Sequence, residues 1–362
     1  MTDNKLILGV DMGEGLLKIS CCLNSREELK EVCIGLKDEE ESWTQKRIID
    51  EIKGFLKEQQ LEEYPVEKIV FSLEQTDPKE IKRIRKMFWN AGFAGEDIYV
   101  ISRENAFIHY VMHQEESIYD HTVLLFVFDG AKLSGYRLTH SKKETPKKIR
   151  VEKSEIGSFS LLGENRDWGR MFDEHFASIA RQILSKEVVS AVFLTGKGFE
   201  GGWLNHSLNV LCSGRRAFIG QNLFSGGGCY YAIDRIEKKK KDCVFAAPET
   251  VLVETGIVDQ KDRFIPIARA GSPWYETKGE IEIILERGNR VDIVFSNKAQ
   301  GEKQVESVEL TGFSNRPKKT IRVHISVQFI SSQEGLILIR DVGFGQFFPG
   351  SNQVFLKKFK LL

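Results

Sequence analysis

The stretch Leu6–Cys22, LILGVDMGEGLLKISCC, decides the fold, because an apolar strand, a glycine-containing turn and a second strand follow one another in it. The apolar residues before the turn are typical of a buried strand. Gly13 and Gly15 carry no Cβ, so the backbone there can turn tightly and approach a ligand closely. Successive backbone N–H groups in such a turn form an anion-binding concavity. Asp11, at the strand end, is suited to hydrated Mg²⁺, and Lys18 is suited to phosphate.

This pattern has two interpretations. Asp-x-Gly turns join many ordinary hairpins, so the residues alone leave a plain hairpin and a phosphate-binding loop both open. The motif Asp-x-Gly-x-Gly-Leu-x-Lys, from Asp11 to Lys18, resembles the first phosphate loop of the actin-like ATPase superfamily. That superfamily contains actin, the 70-kDa heat-shock chaperones and the sugar kinases. The resemblance implies ATP and Mg²⁺ as cofactors, with Gly13, Glu14, Gly15 and Lys18 around the β- and γ-phosphates.

Length and composition set the class of protein. The chain has 362 residues, of which 41% are hydrophobic and 29% charged, which is typical of a globular protein with two domains or one large domain. Lys and Arg together number 52, as do Asp and Glu, so no charge excess points to nucleic acid or to an anionic membrane. No apolar run is long enough to span a bilayer, and the N-terminus lacks a signal-peptide pattern. We therefore expect a cytoplasmic protein that binds neither nucleic acid nor membranes.

An α/β pattern follows the first hairpin. Val66–Leu73 is an apolar strand, Asp77-Pro78 is a helix start with proline at the first helical position, and Gly92 is a helix end. The buried face of that helix is expected to consist of Ile81, Ile84, Phe88 and Trp89. A further strand, Asp97–Ser102, comes next. Alternating strands and helices with short connections indicate an α/β domain.

The segment Val100–Val111, VISRENAFIHYV, resembles the first connecting segment of the heat-shock-chaperone nucleotide domain. Glu104, Ala106 and Tyr110 match that segment, whereas Asn105 stands where the family has proline. The resemblance implies that Glu104 helps to orient the water that attacks ATP. The alternative is an ordinary surface glutamate in the first helical turn, where the helix dipole favours a negative charge.

A second strand–turn–strand unit, TVLLFVFDGAKLSGYRLTH, spans Thr122–His140. Taken by itself, it is a hairpin with an Asp-Gly turn. The resemblance implies that Asp129 faces Asp11 across a nucleotide cleft, that both hold Mg²⁺, and that Gly130 belongs to the phosphate loop. The sequence departs from the family here, because Ala131-Lys132-Leu133 replaces a glycine-rich loop. Either the loop binds nucleotide with a changed geometry or hydrolysis has been lost, and Lys132 is either a phosphate contact or a solvated turn lysine.

Two later segments are rich in glycine. In Val188–Gly202 an apolar strand runs into Gly196, Lys197 and Gly198, which resemble the adenosine loop of the superfamily. A plain turn between a strand and a helix is the alternative. Gln221–Ile236 carries three consecutive glycines at the start of a helix and matches the family's second connecting segment. We expect that segment to serve close packing and hinge movement rather than chemistry.

From Asp242 onward helical patterns give way to about seven alternating strands divided by Gly and Asn turns. This change predicts two domains, residues 1–241 with an α/β actin-like ATPase fold of two ribonuclease H-like lobes, and residues 242–362 as an all-β sandwich. The order resembles that of the chaperones, whose peptide-binding β-domain follows the nucleotide domain, but no helical lid follows here. Phe344, Phe347 and Phe348 form either an exposed contact patch or part of the core.

The motifs together predict an ATP-binding, chaperone-like protein. Its nucleotide state controls the C-terminal β-domain, which contacts a protein or peptide partner. The catalytic residues are Asp11, Asp129 and Glu104, and any ATPase activity is expected to be weak. A non-hydrolysing interaction scaffold on the same fold is the first alternative, supported by Ala131-Lys132-Leu133. A small-molecule kinase is the second, and the oligomeric state is left open.

Overall fold

The computed structural model of the chain divides into two compact units, one ending at Ala247 and the other beginning at Pro248. The predicted boundary between residues 241 and 242 lies outside the described part of the chain. The structure describes residues 5–13, 15–24, 28–35, 43–141, 147–158, 168–237, 243–286, 290–297, 302–311, 317, 319–351 and 353–361. No helix within these ranges combines the length and the apolar character needed to cross a bilayer.

The first unit is built on two mixed sheets. The first sheet has the order β3-β2-β1-β4-β5, in which β1, β2 and β3 are antiparallel and β1, β4 and β5 are parallel. Its strands are β1 (Leu6–Gly13), β2 (Leu16–Leu23), β3 (Lys30–Gly35), β4 (Val66–Leu73) and β5 (Ile98–Ser102).

The second sheet repeats this topology. Its order is β10-β9-β6-β7-β8-β11. Read from β8 to β10, these five strands are the third, second, first, fourth and fifth of the sheet in chain order, as in the first sheet. Its strands are β6 (Thr122–Phe128), β7 (Lys132–His140), β8 (Lys147–Ser158), β9 (Val189–Thr195), β10 (Arg216–Ile219) and β11 (Cys243–Ala246). This duplicated strand order agrees with the two ribonuclease H-like sheets that the sequence predicts.

Helices connect the strands at equivalent places in both halves of the unit. They are α1 (Gln45–Glu58), α2 (Pro78–Asn90), α3 (Arg103–Met112), α4 (Glu116–Tyr119), α5 (Trp168–Leu184), α6 (His206–Leu211) and α7 (Leu223–Glu237). One core cluster joins side chains of both sheets to α3 and α7, so these two helices lie between the sheets. A second cluster fills the other face of the second sheet, against α5.

Local signals place the helix ends as the sequence predicts. The side chain of Asp77 accepts hydrogen bonds from the first N–H groups of α2, Pro78 is its first residue, and Gly92 follows its end with positive φ. The expected buried face of α2 is wrong in one residue, because the Trp89 side chain is 63% exposed. Met87 is buried in its place, since the helical period of 3.6 residues turns Trp89 away from the sheet.

The second unit is all-β in its described part. Two antiparallel sheets have the orders β13-β12-β15-β16 and β14-β17-β18-β19. Its strands are β12 (Glu254–Val258), β13 (Phe264–Ala268), β14 (Lys278–Leu285), β15 (Arg290–Asn297), β16 (Glu302–Glu309), β17 (Ile321–Phe329), β18 (Glu334–Asp341) and β19 (Val354–Lys360). The ring of Phe359 in the second of these sheets lies 4.5 Å from that of Phe295 in the first, so side chains of both sheets share a core.

Candidate functional site

The first hairpin forms as predicted, but its charged residues are buried. Asp11 near the end of β1 and Lys18 in β2 are direct cross-strand partners, and neither side chain is exposed to solvent. Cross-strand partners project from the same face of a sheet, so the side chains of Asp11 and Lys18 lie on one face of the first sheet. A buried charge is stable only when opposite charges and hydrogen bonds compensate its lost hydration.

The principal compensating group is Arg103, the first residue of α3. Its Nε donates to Asp11 Oδ1 at 2.8 Å and its Nη2 donates to Oδ2 at 2.9 Å. This bidentate geometry matches the planar guanidinium to the planar carboxylate. Ser102 caps the helix by accepting from the N–H of Asn105, which fixes where α3 begins and directs Arg103 toward β1.

The guanidinium also explains the first glycine of the turn. A Cβ built on Gly13 would lie 1.9 Å from Arg103 Nη2, well inside any permitted contact. Glycine is therefore required because the guanidinium occupies the space beside the backbone. Gly15 has a positive φ of 73°, and its carbonyl accepts from the indole N–H of Trp43 at 3.2 Å.

Aromatic side chains enclose the Asp11–Arg103 pair. The Arg103 guanidinium lies 4.8 Å from the ring centre of Phe224 in α7, a cation–π distance. Burial raises the pKa of the Tyr136 hydroxyl far above its ordinary value, against the opposing effect of the Arg103 charge. Glu104, Glu74 and Asp11 raise the pKa of Tyr136 further, so these groups surround it. Tyr136 belongs to β7, which shows that the second sheet contributes to the site.

An ion pair joins the two sheets near the site. Lys153 Nζ in β8 lies 2.8 Å from Glu74 Oε1, just after β4. Burial alone raises the pKa of Glu74, but the hydrogen bond and charge of Lys153 outweigh it and hold the pKa below its ordinary value. Lys153 Nζ also lies 5.5 Å from the ring centre of Tyr136. Lys153 therefore compensates the negative charge of Glu74 at this edge of the site.

The predicted second carboxylate, Asp129, organises its own turn. Its Oδ1 accepts from the N–H groups of Ala131 and Lys132 at 2.7 and 2.6 Å. Gly130 has a positive φ of 99°, as this tight turn requires. The side chain of Lys132 is exposed, as expected for a solvated turn lysine. The role of Asp129 in holding Mg²⁺ stays a prediction.

The predicted adenosine loop packs against the end of β6. A Cβ on Gly196 would lie 2.2 Å from the carbonyl oxygen of Phe128, and one on Gly198 would lie 2.2 Å from its ring. Both glycines are thus explained by the close approach of Phe128. The side chain of Gln221 fixes the loop by accepting from Gly196 N–H at 3.1 Å. The side chain of Lys197 is exposed.

Glu104 lies in the first turn of α3 and is buried, so its interpretation as a surface glutamate is wrong. Its role in orienting a water molecule stays a prediction. Glu14, the remaining predicted phosphate contact, lies outside the described residues.

These observations test whether the site fits ATP and Mg²⁺. Both oxygens of Asp11 are bonded to Arg103, and the carboxylate is removed from solvent. The space that a phosphate requires beside Gly13 contains the guanidinium. Among the described residues, no three His, Cys, Asp or Glu side chains are grouped closely enough to hold a metal ion. The metal role expected for Asp11 and the phosphate role expected for Gly13 therefore do not fit this arrangement, whereas the phosphate role of Lys18 stays a prediction.

The glycine-rich start of α7 serves close packing, as predicted. A Cβ on Gly227 would lie 2.1 Å from the carbonyl oxygen of Ala106 in α3, and one on Gly9 in β1 would lie 1.9 Å from that of Ser225. Ser225 Oγ is also hydrogen-bonded to Ser20 Oγ at 2.8 Å. Helix α7 thus contacts both α3 and the first sheet without intervening side chains.

Sequence reasoning missed Arg103, although one signal was present. A cation in the first turn of a helix lies at the positive end of the helix dipole, where it is unfavourable. An arginine directly after the Ser102 cap therefore requires a carboxylate partner. Nothing in the neighbouring sequence identifies Asp11 as that partner.

Two family models match the chain. Residues 19–247 match the model described as the C-terminal part of a family of unknown function, DUF5716. Residues 250–361 match a domain of unknown function, DUF8552. No curated protein sequence matches the chain.

Solved structures with similar folds include two proteins of the ROK family. A transcriptional regulator described as a homolog of the E. coli MLC protein is 11% identical, with a TM-score of 0.41 over 64% of this chain and 78% of the regulator. The ROK hexokinase from Thermus thermophilus is 12% identical, with a TM-score of 0.39 over 65% of this chain and 100% of the hexokinase.

An exopolyphosphatase from Cytophaga hutchinsonii is also similar. It is 17% identical, with a TM-score of 0.32 over 53% of this chain and 67% of the exopolyphosphatase. At such low identities and TM-scores, none of these structures carries an argument about what this chain does.

Proposed function

The chain belongs to the DUF5716 family of unknown function, and we propose that it uses its actin-like fold as a non-hydrolysing scaffold for protein contacts. In this proposal the first unit binds no nucleotide, and its two sheets are held together by internal contacts. The second unit, with its all-β architecture, presents the surface that meets a protein or peptide partner.

The observation that carries the proposal is the bidentate pair between Arg103 and Asp11. In a magnesium site the metal ion would supply positive charge to an aspartate at this position, and here the guanidinium of Arg103 supplies it. Removing Arg103 from the pair would leave a buried carboxylate without its partner, which costs about 3–5 kcal/mol in proteins. Magnesium would have to offset that cost before it gained any affinity.

The alternative is the chaperone-like ATPase, in which Arg103 leaves Asp11 when ATP and Mg²⁺ enter. Asp129 and Glu104 would then act on Mg²⁺ and on the attacking water, and the β-unit would respond to the nucleotide. A small-molecule kinase would require the same displacement of Arg103 and a second substrate pocket as well.

Calorimetric titration of ATP·Mg²⁺ into the full chain, followed by a phosphate-release assay, separates these functions. We expect no binding heat and no phosphate release at millimolar ATP. The matched variant is Asp129→Asn, which keeps an acceptor for the turn and removes one negative charge.

Saturable binding in the wild type that disappears in Asp129→Asn would overturn the scaffold proposal and support a nucleotide site between the sheets. Phosphate release that depends on Asp129 would support the ATPase. Binding that Asp129→Asn leaves unchanged would place the nucleotide elsewhere.

A further inference from the structure

The β18–β19 connection of the second unit exposes aromatic side chains to solvent. We name the segment Val342–Ser351, VGFGQFFPGS, the aromatic loop. Within it the side chains of Phe347 and Phe344 are 91% and 41% exposed, so these two residues do not belong to the core. A single exposed apolar side chain is common on protein surfaces, whereas exposed aromatic side chains together with further apolar surface are typical of contact sites.

The aromatic loop is held in one shape by its base. Asp341, itself buried, accepts from Gly343 N–H at 3.0 Å through Oδ1 and from Ser351 N–H at 2.8 Å through Oδ2. Arg322 Nε donates to the carbonyl oxygen of Gly343 at 3.0 Å. A side chain presented by a rigid loop loses little entropy on binding, so Phe347 has the character of an interface anchor.

A groove of about 1110 Å³ opens in the same unit. Its lining contains both apolar and charged residues. The apolar residues include Ile257, Ile265, Ile283, Ile284, Val291 and Val305. Ile284 and Val305 are each about half exposed, so this apolar surface is accessible to another molecule.

Strand register puts the groove and the aromatic loop at the same end of the unit. Leu285, which lines the groove, is the cross-strand partner of Ile321 at the start of β17. The aromatic loop starts at that end too, because Val342 N–H donates to the carbonyl oxygen of Arg322 at 3.0 Å. One end of the unit therefore carries both a protruding aromatic side chain and an apolar groove.

Charge favours an uncharged occupant for the groove. Asp259 is paired with Arg263 at 2.7 Å, Asp292 with Arg290 at 2.6 Å and Glu286 with Lys319 at 3.7 Å. The remaining charged lining residues, Lys261 and Asp262, are of opposite sign, so the lining charges largely compensate one another. The aromatic loop contains no charged residue. A loop of this composition can enter the groove without leaving an ionised group buried and unpaired.

We propose that this end of the β-unit is a self-association surface, in which Phe347 of each copy enters the groove of a second copy about a twofold axis. Because loop and groove lie at the same end, one twofold contact satisfies both loops and both grooves at once. Such an interface is isologous and closes at the dimer. The inference does not depend on whether the first unit binds nucleotide.

Sedimentation velocity of the full chain without nucleotide tests this surface. We expect a concentration-dependent dimer that Phe347→Ser weakens at least tenfold. Ile284→Asp, which places a charge on the groove, should weaken it similarly. Trp89→Ser removes another exposed aromatic side chain, from α2 in the first unit, and should leave the dimer unchanged.

Mixing the two interface variants gives the sharpest result. A Phe347→Ser copy keeps its groove and an Ile284→Asp copy keeps its loop, so the mixed dimer regains one of its two contacts. The mixed dimer should therefore dissociate with a lower Kd than the dimer of either variant by itself. A monomer at every concentration would overturn the proposal and point to an uncharged segment of another protein as the occupant. A dimer insensitive to both variants, or disrupted variants that fail to complement, would overturn it equally.

Discussion

Arg103 donates to both carboxylate oxygens of Asp11, at 2.8 and 2.9 Å, although the two residues are 92 positions apart in the chain. The pair joins the start of α3 to the end of β1 at the place where the sequence predicts magnesium and phosphate. The Arg103 guanidinium thus lies at the carboxylate where the sequence predicts a bound magnesium ion. Stability and ligand binding at this site are therefore linked.

Arg103→Ala should destabilise the first unit by about 3–5 kcal/mol, because it leaves the Asp11 carboxylate buried without its partner. Urea unfolding measures this change. The double variant Asp11→Asn/Arg103→Met should recover much of the loss, since both charges are then absent. Arg83→Ala, which breaks an exposed pair with Glu80, should cost only about 0–1 kcal/mol. If Arg83→Ala and Arg103→Ala lower the free energy of unfolding equally, the buried pair does not stabilise the protein more than an exposed pair does.

Gly13→Ala should destabilise the protein by about 1–3 kcal/mol, the usual cost of overpacking, because its Cβ would collide with the guanidinium of Arg103. In an Arg103→Ala background the same change should cost much less, because the colliding atoms are gone. Gly54→Ala in α1 is the control, since no atom lies within 4 Å of its Cβ. Thermal unfolding of Gly13→Ala, Arg103→Ala, the double variant and Gly54→Ala measures the coupling between Gly13 and Arg103. If the losses of the two single variants add up to that of the double variant, the collision does not occur.

Gly227→Ala should disrupt the packing of α7 on α3, because its Cβ would meet the backbone carbonyl of Ala106 at 2.1 Å. Backbone cannot yield as a side chain can, so we expect a loss of about 3 kcal/mol or slightly more. Gly226→Ala is a matched change one residue away, where the nearest atom is a flexible Leu29 methyl group at 3.2 Å. It should be close to neutral. Hydrogen exchange of α3 and α7 compares the two, and equal protection would contradict the expectation.

Asp173→Asn should weaken the anchoring of α6. The Asp173 carboxylate accepts from the N–H groups of Asn205, His206 and Ser207 and from the Ser207 hydroxyl. Burial alone raises the pKa of Asp173, but the hydrogen bonds from Ser207 and its neighbours outweigh it and lower the pKa below the ordinary 3.8. A lowered pKa stabilises the fold fully above pH 3.8, and this contribution is lost as the pH falls through the folded-state value.

Asp173→Asn should therefore lower the free energy of unfolding by about 1.5–3 kcal/mol near neutral pH, the usual contribution of hydrogen bonds to a charged group. In acid the decrease should be smaller. Urea unfolding followed by tryptophan fluorescence measures it, since Trp203 packs against Phe172 beside this cap. Asp262→Asn, at an exposed turn position, is the control and should change the free energy of unfolding near neutral pH by less than about 0.5 kcal/mol. A loss that does not shrink in acid would refute the role of the ionised carboxylate.

Much of the fold follows from short-range patterns. The Asp77-Pro78 helix start, the Gly92 helix end and the strands of both hairpins are encoded by residues within a few positions of one another. The change to alternating strands after the first unit is likewise visible in local sequence. Trp89 shows the limit of such patterns, because one residue of helical rotation decides between burial and exposure.

The glycines were identified correctly, but the sequence did not reveal what approaches them. A glycine without a Cβ admits a phosphate, a backbone or a side chain equally well. Only the tertiary structure shows a guanidinium beside Gly13, the Phe128 ring beside Gly198 and the Ala106 carbonyl beside Gly227.

By itself, the sequence determined the first hairpins, the ends of α2 and the change from an α/β pattern to alternating strands, because these depend on periodicity and on caps a few residues apart. The tertiary structure alone decided that Asp11 meets Arg103 and that the aromatic loop lies at the same end of its unit as an apolar groove. The physical reason is that an ion pair or a groove forms between residues distant in sequence, and their proximity is set by how sheets and helices pack.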